Sequence, residues 1–130
     1  MKNLVLDTNA YRRLTEKHVQ LVEIVENADK IFLSVIVAGE LLFGYEHGSK
    51  KKENINQLTT FINSYGVNIA EMGWETAAIY AKIKNQIYKL GKPIPSNDVW
   101  IAAQTIETGS VLVTYDDHFK YIPGLRIWNE

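Results

Sequence analysis

The chain has no cysteine, so disulfides and thiolate metal sites are excluded and nothing in it calls for an oxidising compartment. It has no long hydrophobic run either. The longest apolar stretch, Ile31 to Gly44, is interrupted by Glu40 and is too short to span a bilayer. The first apolar run stops after Leu4, Val5 and Leu6 at Asp7, unlike a secretory signal, so the expected setting is the cytoplasm, with no membrane partner. An excess of one charge sign is also missing, since the net charge is −1. Bulk positive charge therefore cannot hold a nucleic acid. Attraction for a phosphate polymer has to be local, from a bound metal ion or a small basic patch. The histidines His18, His47 and His118 lack metal-ligand spacing and read as surface or loop residues. Repeats and low-complexity segments are absent as well.

What remains is 130 residues at 46% hydrophobic content, enough for one domain, 1–130, with its own core. Four β-rich runs recur, Leu4–Leu6, Ile31–Ser34, Val67–Ile69 and Val111–Thr114, with a fifth candidate at Leu125–Trp128. Helical patterns fill the intervals. One spans Val19 to about Asn27 and another runs from Ile36 to between Gly44 and Gly48. The stripe Ile55, Leu58, Phe61 and Ile62 closes at Gly66, and a longer pattern from Trp74 closes at Gly91. Ser96 is the expected N-cap of a last helix reaching about Thr108. Strands alternating with helices, and strands that are continuous apolar runs, predict an α/β fold with a parallel sheet covered on both faces. The working edge of such a sheet lies beyond the carboxyl ends of its strands, where strand order reverses.

Acids gather at that edge. Asp7 follows the first strand directly, and Asp116 and Asp117 follow the fourth. Glu40 lies on the helix after the second strand, between the apolar Val37 and Leu41, and Asp98 lies in the first turn of the last helix. Each has an ordinary explanation alone: Asp7 as a helix cap, Asp98 as a dipole complement, Glu40 as the partner of Arg12, Arg13 or a lysine, and Asp116 and Asp117 as loop solvation. Together, carboxylates at one edge repel, and either protons or a cation must sit among them. Oxygen-only donors suit magnesium or manganese, and such ions support phosphodiester hydrolysis.

The segments "LDTN" (Leu6–Asn9), "SVIVAGELLFG" (Ser34–Gly44), "KPIPSNDVWIAA" (Lys92–Ala103) and "LVTYDDHFKYIPGLR" (Leu112–Arg126) resemble the PIN-domain ribonucleases, in particular the VapC-type toxins of toxin–antitoxin pairs. The resemblance covers nearly the whole chain in the right order. It implies a three-layer α/β/α sandwich with a central parallel sheet of four to five strands. It also implies a Mg2+- or Mn2+-dependent endoribonuclease, commonly a homodimer, that cuts a tRNA or rRNA loop and is inhibited by a cognate antitoxin. Carried over by position, Asp7 and Asp98 would be direct metal ligands, Glu40 and Asp116 would complete the catalytic set, and Asn9 and Thr114 would support it by hydrogen bonds. The motif selects Asp116, although Asp117 is acidic too.

Other residues have plainer readings. Arg12 and Arg13 either steer RNA to the metal or pair with nearby acids, and Arg12 is taken as a substrate contact. Lys50, Lys51 and Lys52 read as a solvated loop, with phosphate contact the alternative. Trp74 and Trp100 read as core, and Tyr11 as a base-stacking candidate at the site edge. Two rival functions stand beside the nuclease. One is an aspartyl-phosphate phosphatase, for which Asn9 stands where a second acid is usual. The other is a non-catalytic binding module whose acids are caps and salt bridges.

Overall fold

The computed structural model describes residues 2–128. The strands are β1 (Asn3–Leu6), β2 (Lys30–Ser34), β3 (Asn68–Ala70), β4 (Val111–Val113) and β5 (Ile127–Trp128). They form one parallel sheet in the order β3-β2-β1-β4-β5. Leu4, Val5 and Leu6 lie opposite Val111, Leu112 and Val113, and all six are buried. The chain lays β2 and β3 on one side of β1, then returns to place β4 and β5 on the other. Strand order thus reverses between β1 and β4, and the carboxyl ends of those two strands open side by side.

The helices are α1 (Thr8–Thr15), α2 (Val19–Glu26), α3 (Val35–His47), α4 (Lys51–Tyr65), α5 (Trp74–Leu90) and α6 (Ser96–Glu107). With the strand order β3-β2-β1-β4-β5, the right-handed rule for parallel crossovers assigns α1 to α4 to one face of the sheet and α5 with α6 to the other. The contacts agree: α1 meets α2 and α3, α3 meets α4, and α5 lies along α6. This is the three-layer α/β/α arrangement with five strands. Helix α3 also touches α6, at the edge where the sheet opens. Gly66 and Gly91 end α4 and α5 in the left-handed conformation, at φ 57° and 65°, where other residues are strained. Among the described residues, no helix is long and apolar enough to cross a membrane.

Several expectations need correction. The N-cap of α6 is Pro95. Ser96 is already helical, and its hydroxyl accepts from Lys84 Nζ at 3.0 Å. The residue after a proline with ψ of 143° enters the helix without a side-chain cap. Trp74 is not core: as the first residue of α5 it is 88% exposed, because the inward stripe of that helix begins later, at Thr76. Trp100 is half-buried and stacks on Tyr80 at 3.8 Å between ring centroids. The apolar run around β3 is not doubly covered. β3 is an edge strand, with Ala70 buried and Ile69 exposed. On α3, Val37 and Leu41 are buried while Val35, Leu42 and Phe43 face outward. Lys51 already belongs to α4, and its Nζ pairs with Glu46 at 2.5 Å on the surface.

One buried polar residue ties the carboxyl ends of β2 and β3 to α6. Gln104 is fully buried, its Nε2 donates to the Ala70 carbonyl at 2.5 Å, and its Oε1 accepts from Ser34 Oγ at 2.5 Å. The Ser34 oxygen in turn accepts from the Ile36 amide, capping α3. Replacing Gln104 with leucine keeps the volume but strands the Ala70 carbonyl and the Ser34 hydroxyl. We expect Gln104→Leu to lower stability by about 2 to 4 kcal/mol. The readout is a shifted urea midpoint at unchanged slope; a shift within about 0.5 kcal/mol, as for a surface change, would contradict it.

Candidate metal centre

Asp7 is fixed through its amide and both carboxylate oxygens. Its amide donates to the Val113 carbonyl at 3.1 Å, prolonging the β1–β4 ladder. Its Oδ1 accepts from the Ala10 amide at 2.9 Å, so it caps α1 as expected of an aspartate after a strand. Its Oδ2 accepts from Thr114 Oγ1 at 2.5 Å. A carboxylate has about four acceptor positions, so capping leaves lone pairs for another ligand. The cap and the cluster are therefore one device and not rival readings of Asp7.

Thr114 follows β4 and is fully buried. Its hydroxyl donates to Asp7 and accepts from the Asp116 amide at 3.0 Å. The expected hydrogen-bond support of Asp7 by Thr114 is present, from a hydroxyl closed off from solvent. Glu40, half-buried on α3, accepts from Thr8 Oγ1 at 2.7 Å. Thr8 was not singled out in the sequence, and no local spacing would reveal a partner 32 residues away. Asn9 is exposed, and among the described residues its side chain makes no hydrogen bond to the acids.

Asp7, Glu40, Asp98 and Asp116 line one cavity of about 330 Å³, with Thr8, Asn9 and Arg12 at its wall. Asp117, exposed at the start of a 3-10 turn over Asp117–Tyr121, does not line it. Neither does any of Lys50, Lys51 or Lys52. His118 lies on that turn, and its Nε2 is 2.8 Å from Asp98 Oδ2. One donor atom each from Asp98, Asp116 and His118 lie within 4.8 Å of one another. The reading of His118 as a bystander is thus corrected: the turn folds it back onto an acid far away in sequence. Tyr11 is corrected too. It is 1% exposed and packs edge-on against Phe61 at 5.2 Å, so it cannot stack on a base.

The electrostatics are those of a pocket in which carboxylates outnumber the cations. Burial raises the pKa of Asp7 above the ordinary carboxylate range, and the charges of Asp116 and Asp98 push the same way, against the lowering bonds from Thr114 and Ala10. Burial also raises Asp98; His118 opposes this, and Asp116 and Glu40 add to it. Among the described residues, no lysine or arginine ion-pairs with any of the four acids. Oxygen donors in excess, one imidazole and no resident counter-cation match the donor chemistry of magnesium or manganese.

The PIN-domain family model matches residues 4–125. Ribonuclease VapC2 of Rickettsia felis is 28% identical over 130 residues, covering 96% of each chain. Ribonuclease VapC2 of Haemophilus influenzae is 30% identical over 132 residues, covering 99% of this chain and 98% of its own. The solved structure of VapBC-1 from nontypeable Haemophilus influenzae superposes with a TM-score of 0.87 at 26% identity, covering 98% of this chain and 97% of that one.

An aspartate whose pKa rises on folding holds its proton more tightly in the folded chain. Its contribution to stability is therefore largest near and below the ordinary value of 3.8 and is lost as pH climbs through the raised value. In metal-free protein, Asp98→Asn should remove that loss. The melting temperature of the variant relative to the parent should increase from pH 4 to pH 7. A difference that is flat with pH, or that favours the parent more at neutral pH, would contradict the pocket electrostatics.

Proposed function

The chain belongs to the PIN-domain family, in its VapC group, and on that footing we propose that it is a Mg2+- or Mn2+-dependent endoribonuclease. In this reading it is the toxin of a toxin–antitoxin pair, a cytoplasmic homodimer held in check by a cognate antitoxin. The observation that carries the nuclease reading is the cavity that brings Asp7, Glu40, Asp98 and Asp116 together, where among the described residues no lysine or arginine ion-pairs with them and His118 meets Asp98 alone.

Asp7 and Asp98 are assigned as direct ligands, because burial and mutual repulsion make each costly to leave charged and unpartnered. Glu40 and Asp116 complete the set. Thr114 is a positioning residue: it holds Oδ2 of Asp7 and the backbone of Asp116 in one hydroxyl. Thr8 does the same for Glu40. A divalent ion held there would lower the pKa of water and neutralise charge building on the phosphate oxygens. Arg12, exposed at the cavity wall, meets the incoming phosphate. The ribose 2′-hydroxyl has no part in this route, so the products carry a 5′-phosphate and a 3′-hydroxyl. A tRNA or rRNA loop is the substrate class the kinship favours.

The rivals gain nothing from the geometry. A module built on caps and salt bridges would need bridges to each acid, and among the described residues only Asp98 has one, to His118. A phosphatase needs a proton donor two residues after Asp7, and Asn9 supplies none.

Mapping RNA ends in cells expressing the chain tests the reading. New 5′-phosphate ends are expected, and purified protein should lose cleavage in EDTA and regain it with Mg2+ or Mn2+. Asp7→Asn should fold and lose about 100-fold or more of the activity, the scale of losing a charge-stabilising group. Cyclic-phosphate ends, or full cleavage by Asp7→Asn, would sink the mechanism.

A further inference from the structure

Beside the acidic cavity lies a second one, of about 370 Å³, which shares Asn9, Arg12 and Asp116 with it. Its remaining walls are Arg13, Glu16 and Tyr115. We propose that this second cavity is a subsite for one unpaired nucleotide next to the scissile phosphate, its base stacking on the Arg13–Tyr115 pair. The proposal rests on the nuclease reading for the identity of the polymer.

Three observations carry it. First, Arg13 is within stacking distance of Tyr115, its guanidinium carbon 3.8 Å from the ring centroid. Tyr115 is half-buried against the core, so it is a fixed plane, and it holds the guanidinium at the cavity wall. An exposed guanidinium plane laid on an aromatic ring is a surface on which a single-stranded base stacks. Second, neither Arg12 nor Arg13 forms an ion pair among the described residues, despite the acids nearby. With a net charge of −1, the chain attracts RNA only locally, and these two cations sit at the mouth of the site. Third, Arg12 faces both cavities. A Cβ at Gly44 would stand 3.3 Å from its terminal nitrogen, so the glycine on α3 leaves room for the guanidinium. Arg12 is placed to hold a phosphate at the boundary while the base turns outward onto Arg13. Glu16, also lining the cavity, adds an acceptor for a base amino group.

A paired base cannot enter such a cavity edgewise from a duplex, so the subsite reads single strands. This gives the test. The full chain carrying Asp7→Asn, in Mg2+, is titrated into a short single-stranded oligoribonucleotide containing 2-aminopurine, and into the same strand annealed to its complement. Saturable binding with fluorescence quenching is expected for the single strand and not for the duplex. Adding Arg13→Ala or Arg13→Lys should weaken binding by about 5-fold or more and remove the quenching, the lysine failing because it keeps charge without a plane. Tyr115→Leu should act alike and Tyr115→Phe should stay within about 2-fold of the parent. Unchanged affinity and quenching in both Arg13 variants would overturn the subsite, as would equal binding of duplex, or no binding of the single strand. The nuclease reading fails separately, if the unsubstituted chain binds the strand this way yet cuts no RNA in Mg2+ or Mn2+.

Discussion

Carboxylates crowd together where β1 and β4 end, and that crowding is the constraint to which the surrounding structure answers. Asp7 is held by the sheet through its amide, by α1 through one carboxylate oxygen and by Thr114 through the other. It cannot move away from Asp98 and Asp116, whose charges raise its proton affinity. Proteins rarely keep such a pocket without a partner for it, because each buried charge is costly unless paired or ligated. Among the described residues no lysine or arginine ion-pairs with these acids and only His118 meets one of them, which is why a divalent cation is the partner proposed for the pocket.

The fold supplies this arrangement by topology more than by local chemistry. Laying strands on both sides of β1 makes its neighbour β4, so that Asp7 and Thr114 meet although they are 107 residues apart. The contact of α3 with α6 brings Glu40 and Asp98 to one cavity from opposite faces of the sheet. Gln104 and Ser34 tie the ends of the neighbouring strands to those same two helices. Rigidity at this edge is what a metal site requires, since ligands that drift lose both affinity and geometry.

Much of this was legible before any coordinates. Short apolar runs separated by helical stripes marked all five strands to within about two residues, the usual uncertainty of element ends. Asp7, Asp98 and Asp116 stood out because each follows a strand or opens a helix at the carboxyl edge, Glu40 because it interrupts an apolar helix, and the motif resemblance joined the four. What stayed hidden depends on contacts between distant segments. Thr8 with Glu40 and His118 with Asp98 leave no periodic trace in the chain. Tyr11 and Trp74 were exchanged in effect, the first buried and the second exposed. An apolar stripe marks which residues share a helix face, but not where along the helix that face stops meeting the core. Only in three dimensions do the two neighbouring acids part, since Asp116 lines the cavity and Asp117 opens the 3-10 segment.

Calorimetric titration of Mn2+ into metal-free protein at neutral pH tests the central claim most directly. Saturable binding that raises the melting temperature, and that is lost when Asp7 and Asp98 are both replaced by asparagine in a protein that still folds, is the predicted result. Absence of binding by the folded parent chain, or equal binding by the doubly substituted one, would contradict the account.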